Sequence, residues 1–234
     1  MATTPTLKSH WEYNKTSSFS SGVVGSPTIG SYSNSVLVVI VFAMDAGSNR
    51  YATAVTQAGD SLTEIVGCQD EYESKDAHVS MWYLVNPTTG AQDISVTLNG
   101  TADRAAVHVC LLSDCNQSDL VEDYDSRAHD VSSADDTDAL YVTTSNDNCY
   151  IIGACVSYSI YDTNVTSDQS TIESWKTSWT LNYISLRSTR ESASSADTYD
   201  STFYLNNTGH TECAHLVVAF NGALDTFIPQ ALLM

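Results

Sequence analysis

Positive charge is scarce in this chain. Lysine and arginine total 9 against 28 aspartates and glutamates, for a formal charge of −19. The lysines, Lys8, Lys15, Lys75 and Lys176, are spread too thinly to form a basic stripe. Affinity for nucleic acid rests on cationic side chains displacing counterions from phosphates, so no nucleic-acid partner is expected. Anionic membrane surfaces are disfavoured for the same reason. Long apolar runs are missing too. The longest, Val36–Met44, falls well short of the roughly 20 residues of a membrane-spanning helix, so no membrane insertion is expected. The opening residues, Met1-Ala2-Thr3-Thr4-Pro5-Thr6-Leu7-Lys8, show no basic region followed by an apolar core, so no secretion signal is expected.

Catalytic grammar is equally sparse. No Gly-x-Ser-x-Gly elbow occurs, and no Cys-x-x-Cys pair. The alternating Asp-x-Asp-x-Asp-Gly loop of a calcium hand is absent. Many acids are present, but none forms a recognisable strand-borne pair of the kind glycoside hydrolysis needs. The expectation is a protein that is not an enzyme and carries no cofactor and no metal.

What is present points to β-structure. The chain has 234 residues, 42% of them hydrophobic, which suits a real core. The acidic, Ser/Thr-rich composition is that of an exported protein. Joined to the missing leader, it implies exit by another route: as part of a virus particle, extracellular after lysis. High negative charge keeps such particles soluble and mutually repulsive. Six cysteines occur. Cys110, Cys149 and Cys155 lie in apolar stretches, where a thiol behaves as a small hydrophobe. Buried free thiols are the favoured reading over a disulfide set. If a bridge exists, loop-borne Cys68 and Cys115 are its candidates.

Strand-like segments recur without sustained helical periodicity. Val36–Met44 is continuously apolar, whereas Ile94, Val96 and Leu98 alternate with Ser95 and Thr97, the period of a half-buried strand. Ala58-Gly59-Asp60-Ser61 makes a hairpin turn between Tyr51–Gln57 and Leu62–Val66. Asp114–Asp138 reads as a long acidic loop. The second half echoes the first: Asn34–Val41 resembles Asn148–Cys155, and Ala106–Leu111 resembles Ala214–Ala219. The expected fold is all-β: one antiparallel, jelly-roll-like β-sandwich to which each half contributes strands in both sheets. Residues 1–33 form an N-terminal arm or edge strand, 34–224 the sandwich, and 225–234 an apolar docking tail.

The strand grammar of residues 34–113, and more weakly 140–221, resembles a group of β-sandwich domains in bacterial surface proteins and phage virion proteins. The residues that carry the resemblance are Asn34–Val41, Val55-Thr56 with Gly59 and Leu62-Thr63, Trp82-Tyr83-Leu84, Gly90, and Ile94-Ser95-Val96-Thr97-Leu98. The resemblance implies a jelly-roll or immunoglobulin-like sandwich in a displayed protein. Fold analogy alone does not assign function.

Candidate sites follow from residue chemistry. Trp175–Leu186 reads as a strand or a hairpin; Trp175, Trp179 and Tyr183 fall on one face if it is a single extended strand, and aromatic faces serve sugars and protein interfaces alike. Phe227, Ile228, Leu232 and Leu233 make the tail too apolar to stay free in water. Two acidic clusters, Asp70 to Asp76 and Asp119 to Asp138, read as solvated loops rather than calcium sites. His108 with Cys110, and Cys213 with His215, would offer zinc ligands only if their strands were neighbours. The expected role is a structural virion protein, such as a capsid decoration, spike or tail-fibre component of a bacteriophage. It would act as a homo-oligomer or on other virion proteins. The alternative is a carbohydrate-binding or adhesin module with a cell-surface glycan as partner.

Overall fold

Two kinds of strand pattern build this molecule: runs apolar at every position, and runs apolar at every second one. A strand with both faces covered demands the first; a strand with one face in water demands the second. The computed structural model describes residues 3–15, 17–45, 47–72, 75–131, 136–159, 164–167, 169–179, 182–206 and 211–223. Among these the chain is all strand and turn, with antiparallel pairing throughout and no helix. The first half contains β1 (Thr6–Lys15), β2 (Phe19–Gly25), β3 (Thr28–Ile29), β4 (Val36–Asp45), β5 (Ala52–Gln57), β6 (Asp60–Ser61), β7 (Thr63–Tyr72), β8 (Lys75–Val85), β9 (Gly90–Ala91), β10 (Ile94–Ala102) and β11 (Arg104–Ser113). The second contains β12 (Val121–Val131), β13 (Asp136–Thr143), β14 (Cys149–Ser159), β15 (Asn164–Ser167), β16 (Ser170–Trp179), β17 (Asn182–Ala193), β18 (Thr198–Asn206) and β19 (Thr211–Phe220).

Each half closes its own pair of sheets. In the first, a five-stranded sheet runs β1-β11-β4-β8-β7 and a four-stranded sheet runs β2-β10-β5-β6. In the second, a five-stranded sheet runs β12-β19-β14-β17-β16 and a three-stranded sheet runs β13-β18-β15. The two orders superimpose strand for strand when β1, β2, β4, β5, β7, β8, β10 and β11 are matched to β12 through β19. This is jelly-roll order, with the fifth strand carried into the larger sheet. In the first half the crossing is visible: β6 pairs with β5 before the chain passes into β7. The turn between β5 and β6 places Ala58 at φ 53° and Gly59 at φ 94°, the twist a tight hairpin requires.

The expectation of one sandwich with both sheets shared by both halves is therefore replaced. Every strand pairs only within its own half, and the halves stack through their five-stranded sheets. Val36, Val38, Ile40, Phe42 and Met44 of β4 face Tyr150, Ile152, Ala154 and Val156 of β14, with Leu216, Val218 and Phe220 of β19, in one continuous central core. The other face of β4, Leu37, Val39, Val41 and Ala43, packs on Val55, Ile94 and Val96 of the outer sheet. A corresponding outer core in the second half gathers Leu140, Val142, Ile151 and Val217. The order of layers is outer, inner, inner, outer. Fully burying each large apolar side chain contributes roughly 1.5–3 kcal/mol, which makes the central layer the main source of cohesion between halves.

The sequence echo is structural. Asn34 and Asn148 both take a left-handed conformation (φ 48° and 69°) immediately before β4 and β14, a place where asparagine is tolerated better than most residues. Of the two readings of residues 1–33, the edge strand rather than the free arm is found: β1 pairs along its length with β11 at the edge of the five-stranded sheet, and β2 is an edge of the outer sheet. The acidic segment 114–138 is not a loop either, because most of it is β12 and the start of β13. Its carboxylates satisfy a strand edge. Asp125 accepts from the Tyr141 backbone N–H (3.3 Å) and Asp123 from that of Thr143 (2.8 Å). Glu122 accepts from the Ser145 N–H (2.8 Å).

Candidate functional site

Two concavities carry most of the polar chemistry among the described residues. The first lies at the seam between halves, where the start of β1 meets β14, β16 and β17. It encloses about 560 Å³ and is lined by Thr6, Leu7, Tyr150, Ser170, Arg190 and Glu191 among others. A neighbouring depression of about 390 Å³ shares Ser170, Arg190 and Glu191 and adds Gln169, Asp200 and Thr202. Gln169 holds Glu191 through its amide (3.1 Å).

Beside this seam a polar ladder joins the halves. His10 Nδ1 lies 2.5 Å from Glu173 Oε1, tying β1 to β16. Burial raises the Glu12 carboxyl above its ordinary range; the amide of Asn14 opposes that, and the nearby Glu173 carboxyl adds to it. His108, fully buried on β11, meets the Ser188 hydroxyl of β17 at 2.9 Å and packs edge-on against Phe42. Burial holds this imidazole down to about 3, with a smaller contribution from His10. Burial likewise pushes the Cys110 thiol up to about 12.

The second concavity lies on the first half alone. It measures about 470 Å³ and is lined by Tyr51, Glu64, Ile65, Val66, Gly67 and His78. His78 is 7% exposed, and its buried Nδ1 has no hydrogen-bond partner among the described residues. Burial holds it down to about 4, so it is neutral near pH 7. The Tyr51 ring tilts over it at 5.9 Å between centroids. Glu64 is exposed as a residue, yet its carboxyl sits low enough for burial to raise it above its ordinary value. A Cβ on Gly67 would stand 3.0 Å from Glu64 Oε1 and 3.3 Å from His78 Nε2. The missing side chain is what lets these two groups converge over the groove floor.

Nothing in the spacing of Tyr51, Glu64 and His78 marks them in the sequence. The one available signal was Gly67, since a glycine inside a strand often records a close approach.

The other anticipated residues fall as follows. The chain turns back between Trp179 and Asn182, so Trp179 pairs with Asn182, and Tyr183 with Ser178. The single extended segment that aligned Trp175, Trp179 and Tyr183 is thus a hairpin; their side chains lie outside the described residues. Phe227, Ile228, Leu232 and Leu233 also lie outside them. His108 and Cys110 do not meet Cys213 and His215. The first pair faces the central core, whereas the second faces the three-stranded sheet, with Phe203 packed edge-on to His215 at 4.6 Å. Among the described residues no group of three or more His, Cys, Asp or Glu side chains is placed to hold a metal ion. Cys68 and Cys115 are buried rather than loop-borne: Cys68 sits on β7, and Cys115 bridges to Gly222. The sulfurs of Cys155 and Cys213, by contrast, lie 3.1 Å apart. Of the clustered acids from Asp70 to Asp76, Asp70 and Glu71 belong to the end of β7 and Asp76 to the start of β8, and Glu73 lies outside the described residues.

Comparison with known protein families, curated proteins and solved structures finds no match to this chain.

Proposed function

We propose that this protein is a structural component of a virus particle, acting through assembly contacts with copies of itself or with other virion proteins. One observation carries the reading: two jelly rolls are fused through a continuous apolar core into a stacked block in which Thr3 and Ala223, the first and last described residues, lie side by side. The Thr3 N–H donates to the Ala223 carbonyl at 3.0 Å, and the apolar residues 225–234 follow Ala223 closely in sequence. A rigid body with one adhesive pole and a strongly acidic surface suits docking on a lattice, with like-charged particles kept apart. Jelly rolls also serve lectins and enzymes, so the fold supports this reading without fixing it. The test is native mass and light scattering of the full chain beside a variant ending at Ala223. Concentration-dependent assembly that the truncation abolishes supports the proposal. A strict monomer in both forms sinks it.

A second reading is favoured by the seam. Arg190, Ser170 and Gln169 offer donors, and Asp200 and Glu191 offer acceptors, around connected depressions that suit a hydroxyl-rich glycan. Glycan-array binding that Arg190→Ala removes would move the assignment to an adhesin.

A further inference from the structure

We infer that the groove formed by Tyr51, Glu64, Gly67 and His78 is a binding site for a primary ammonium group. The proposal stands independently of the virion reading. It starts from an internal control. Because the halves repeat strand for strand, the groove positions on β7 and β8 have counterparts on β16 and β17. Phe42 pairs with Val79 and its equivalent Val156 pairs with Leu186, so His78 corresponds to Ser185. Gly67 pairs with Ser80 as Ser174 pairs with Arg187, and Glu64 pairs with Trp82 as Thr171 pairs with Thr189. The second half therefore builds the same strands with Thr171, Ser174 and Ser185. A carboxyl, an imidazole and a glycine at these places are not demands of the fold.

Nor does packing account for them. Burying a polar group without a partner is costly, yet the His78 imidazole is buried with Nδ1 unpartnered among the described residues, a cost that ligand binding at Nε2 does not relieve and that apolar packing would have avoided. Its Nε2 and the Glu64 carboxylate converge over Gly67. A primary ammonium carries three donors and no acceptor. It would donate to Glu64 and to the Nε2 lone pair. Its alkyl stem would lie against Ile65, and its charge near the Tyr51 ring, which favours cations electrostatically. A neutral imidazole suits this role, whereas an imidazolium would repel the ligand. The nearby cation Arg50 does not fill the site, being held by the Thr101 carbonyl (2.9 Å) and Asp45 (3.7 Å). An overall charge of −19 raises the local concentration of cations. Anionic ligands are disfavoured on the same grounds.

A small free amine and a lysine side chain share this chemistry, and two probes separate them. The full-length protein is titrated at low salt and pH 7 with n-butylammonium and with Nα-acetyl-lysine methylamide, n-butanol serving as the neutral control. The readout is the His78 ring resonances in long-range 1H–15N spectra. Saturable shifts with n-butylammonium, at least about tenfold weaker with n-butanol and after Glu64→Gln, are expected, the loss typical of one charge-assisted hydrogen bond. Binding of both amines points to a chain-borne lysine, and of n-butylammonium alone to a free amine. Gly67→Ala should block the site sterically. If that variant does not fold, Glu64→Gln at the exposed rim carries the test. Absence of saturable shifts, an equal response to n-butanol, or a response that survives Glu64→Gln overturns the proposal.

Discussion

Gly222 is the position where a single methyl group should do most harm. A Cβ built there would lie 2.0 Å from the Thr3 carbonyl oxygen and 2.6 Å from that of Asn148. Both obstacles are backbone, so no side chain can swing aside. The surrounding hydrogen bonds knit three segments. Cys115 bridges to Gly222, the Ala223 N–H donates to Asp114 (2.7 Å), the Asn116 N–H to Asn221 (2.8 Å), and Thr3 to Ala223 (3.0 Å). Gly222→Ala must push the N-terminus or the Asn148 turn outward. Overpacking of this kind costs about 1–3 kcal/mol. Losing the Thr3 and Ala223 hydrogen bonds adds about 0.5–1.5 kcal/mol each, for a sum of about 2–6 kcal/mol. For a chain of this size each kcal/mol lowers Tm by about 2–4 °C, so a drop of at least about 4 °C is expected by calorimetry. Amide exchange should quicken at Cys115, Asn116 and Asn221 before it does at β4. A Tm within about 1 °C of the parent, with exchange unaltered, would refute the reasoning.

Three further outcomes follow from named groups. His108 is neutral in the fold and held to about 3, below the ordinary 6.5; unfolding lets it take up a proton, so its contribution to stability is intact above about pH 6.5 and is lost progressively as pH falls towards 3, at about 1.4 kcal/mol per pH unit. Leu216 occupies the equivalent place in the second half, so His108→Leu should flatten that part of a pH series of urea melts; an unchanged slope counts against it. At Glu122 burial would raise the carboxyl, but hydrogen bonds from Ser145, Asn221 and Asn146 outweigh it and hold the group below its ordinary value. Its stabilisation is present above the unfolded value and lost as pH falls through the folded one, and Glu122→Gln should cost no more than about 1 kcal/mol at pH 7 because solvent screens the site. The Cys155 and Cys213 sulfurs, 3.1 Å apart with 58 residues of separation, should be the pair that crosslinks when the protein is refolded with oxidised glutathione. Chain-entropy arguments put the gain at about 4 kcal/mol, and peptide mapping that finds all six thiols alkylated would contradict it.

Much of the fold was legible because the period of hydrophobicity reports how many faces a strand buries. Val36–Met44 is apolar throughout because β4 has a layer on each side; Ile94–Leu98 alternates because β10 lies in an outer sheet. What covers the second face of β4 is a long-range fact that no local pattern contains. The echo between halves was visible for the same reason: both copies must keep the inner strands apolar. The segment 114–138 misled because aspartate is depleted in strands. Here the carboxylates of Asp123 and Asp125 accept backbone N–H groups from β13, and that of Glu122 one from Ser145 in the turn after it, instead of facing open water. The groove at His78 and Glu64 was not legible at all. Its residues come from β7, β8 and Tyr51 just before β5, brought together by a pairing register rather than by spacing in the chain.

The stacking also decides what the halves can do alone. A jelly roll normally turns the outer faces of its two sheets to water, with the apolar faces against each other. Here the five-stranded sheet of each half is apolar on both sides, so one half by itself would present Val38, Ile40, Phe42, Val79, Met81 and Leu112 to solvent. Contiguous apolar patches on soluble monomers rarely exceed a few hundred Å², and six such side chains surpass that. Residues 1–113 expressed alone should aggregate, or pair with another copy through this face. Co-expression with 114–234 should restore a soluble one-to-one complex, because strand pairing among the described residues stays within each half, so that what must re-form is side-chain packing, contacts such as His10–Glu173 and His108–Ser188, the hydrogen bonds from Asp114 and Cys115 to Ser33 and Asn34, and the contacts around Gly222. Size exclusion with light scattering reads the result. A soluble monomeric first half with native-like strand content would mean that the central core is a contact between two finished domains. In that case the fusion would serve geometry rather than stability.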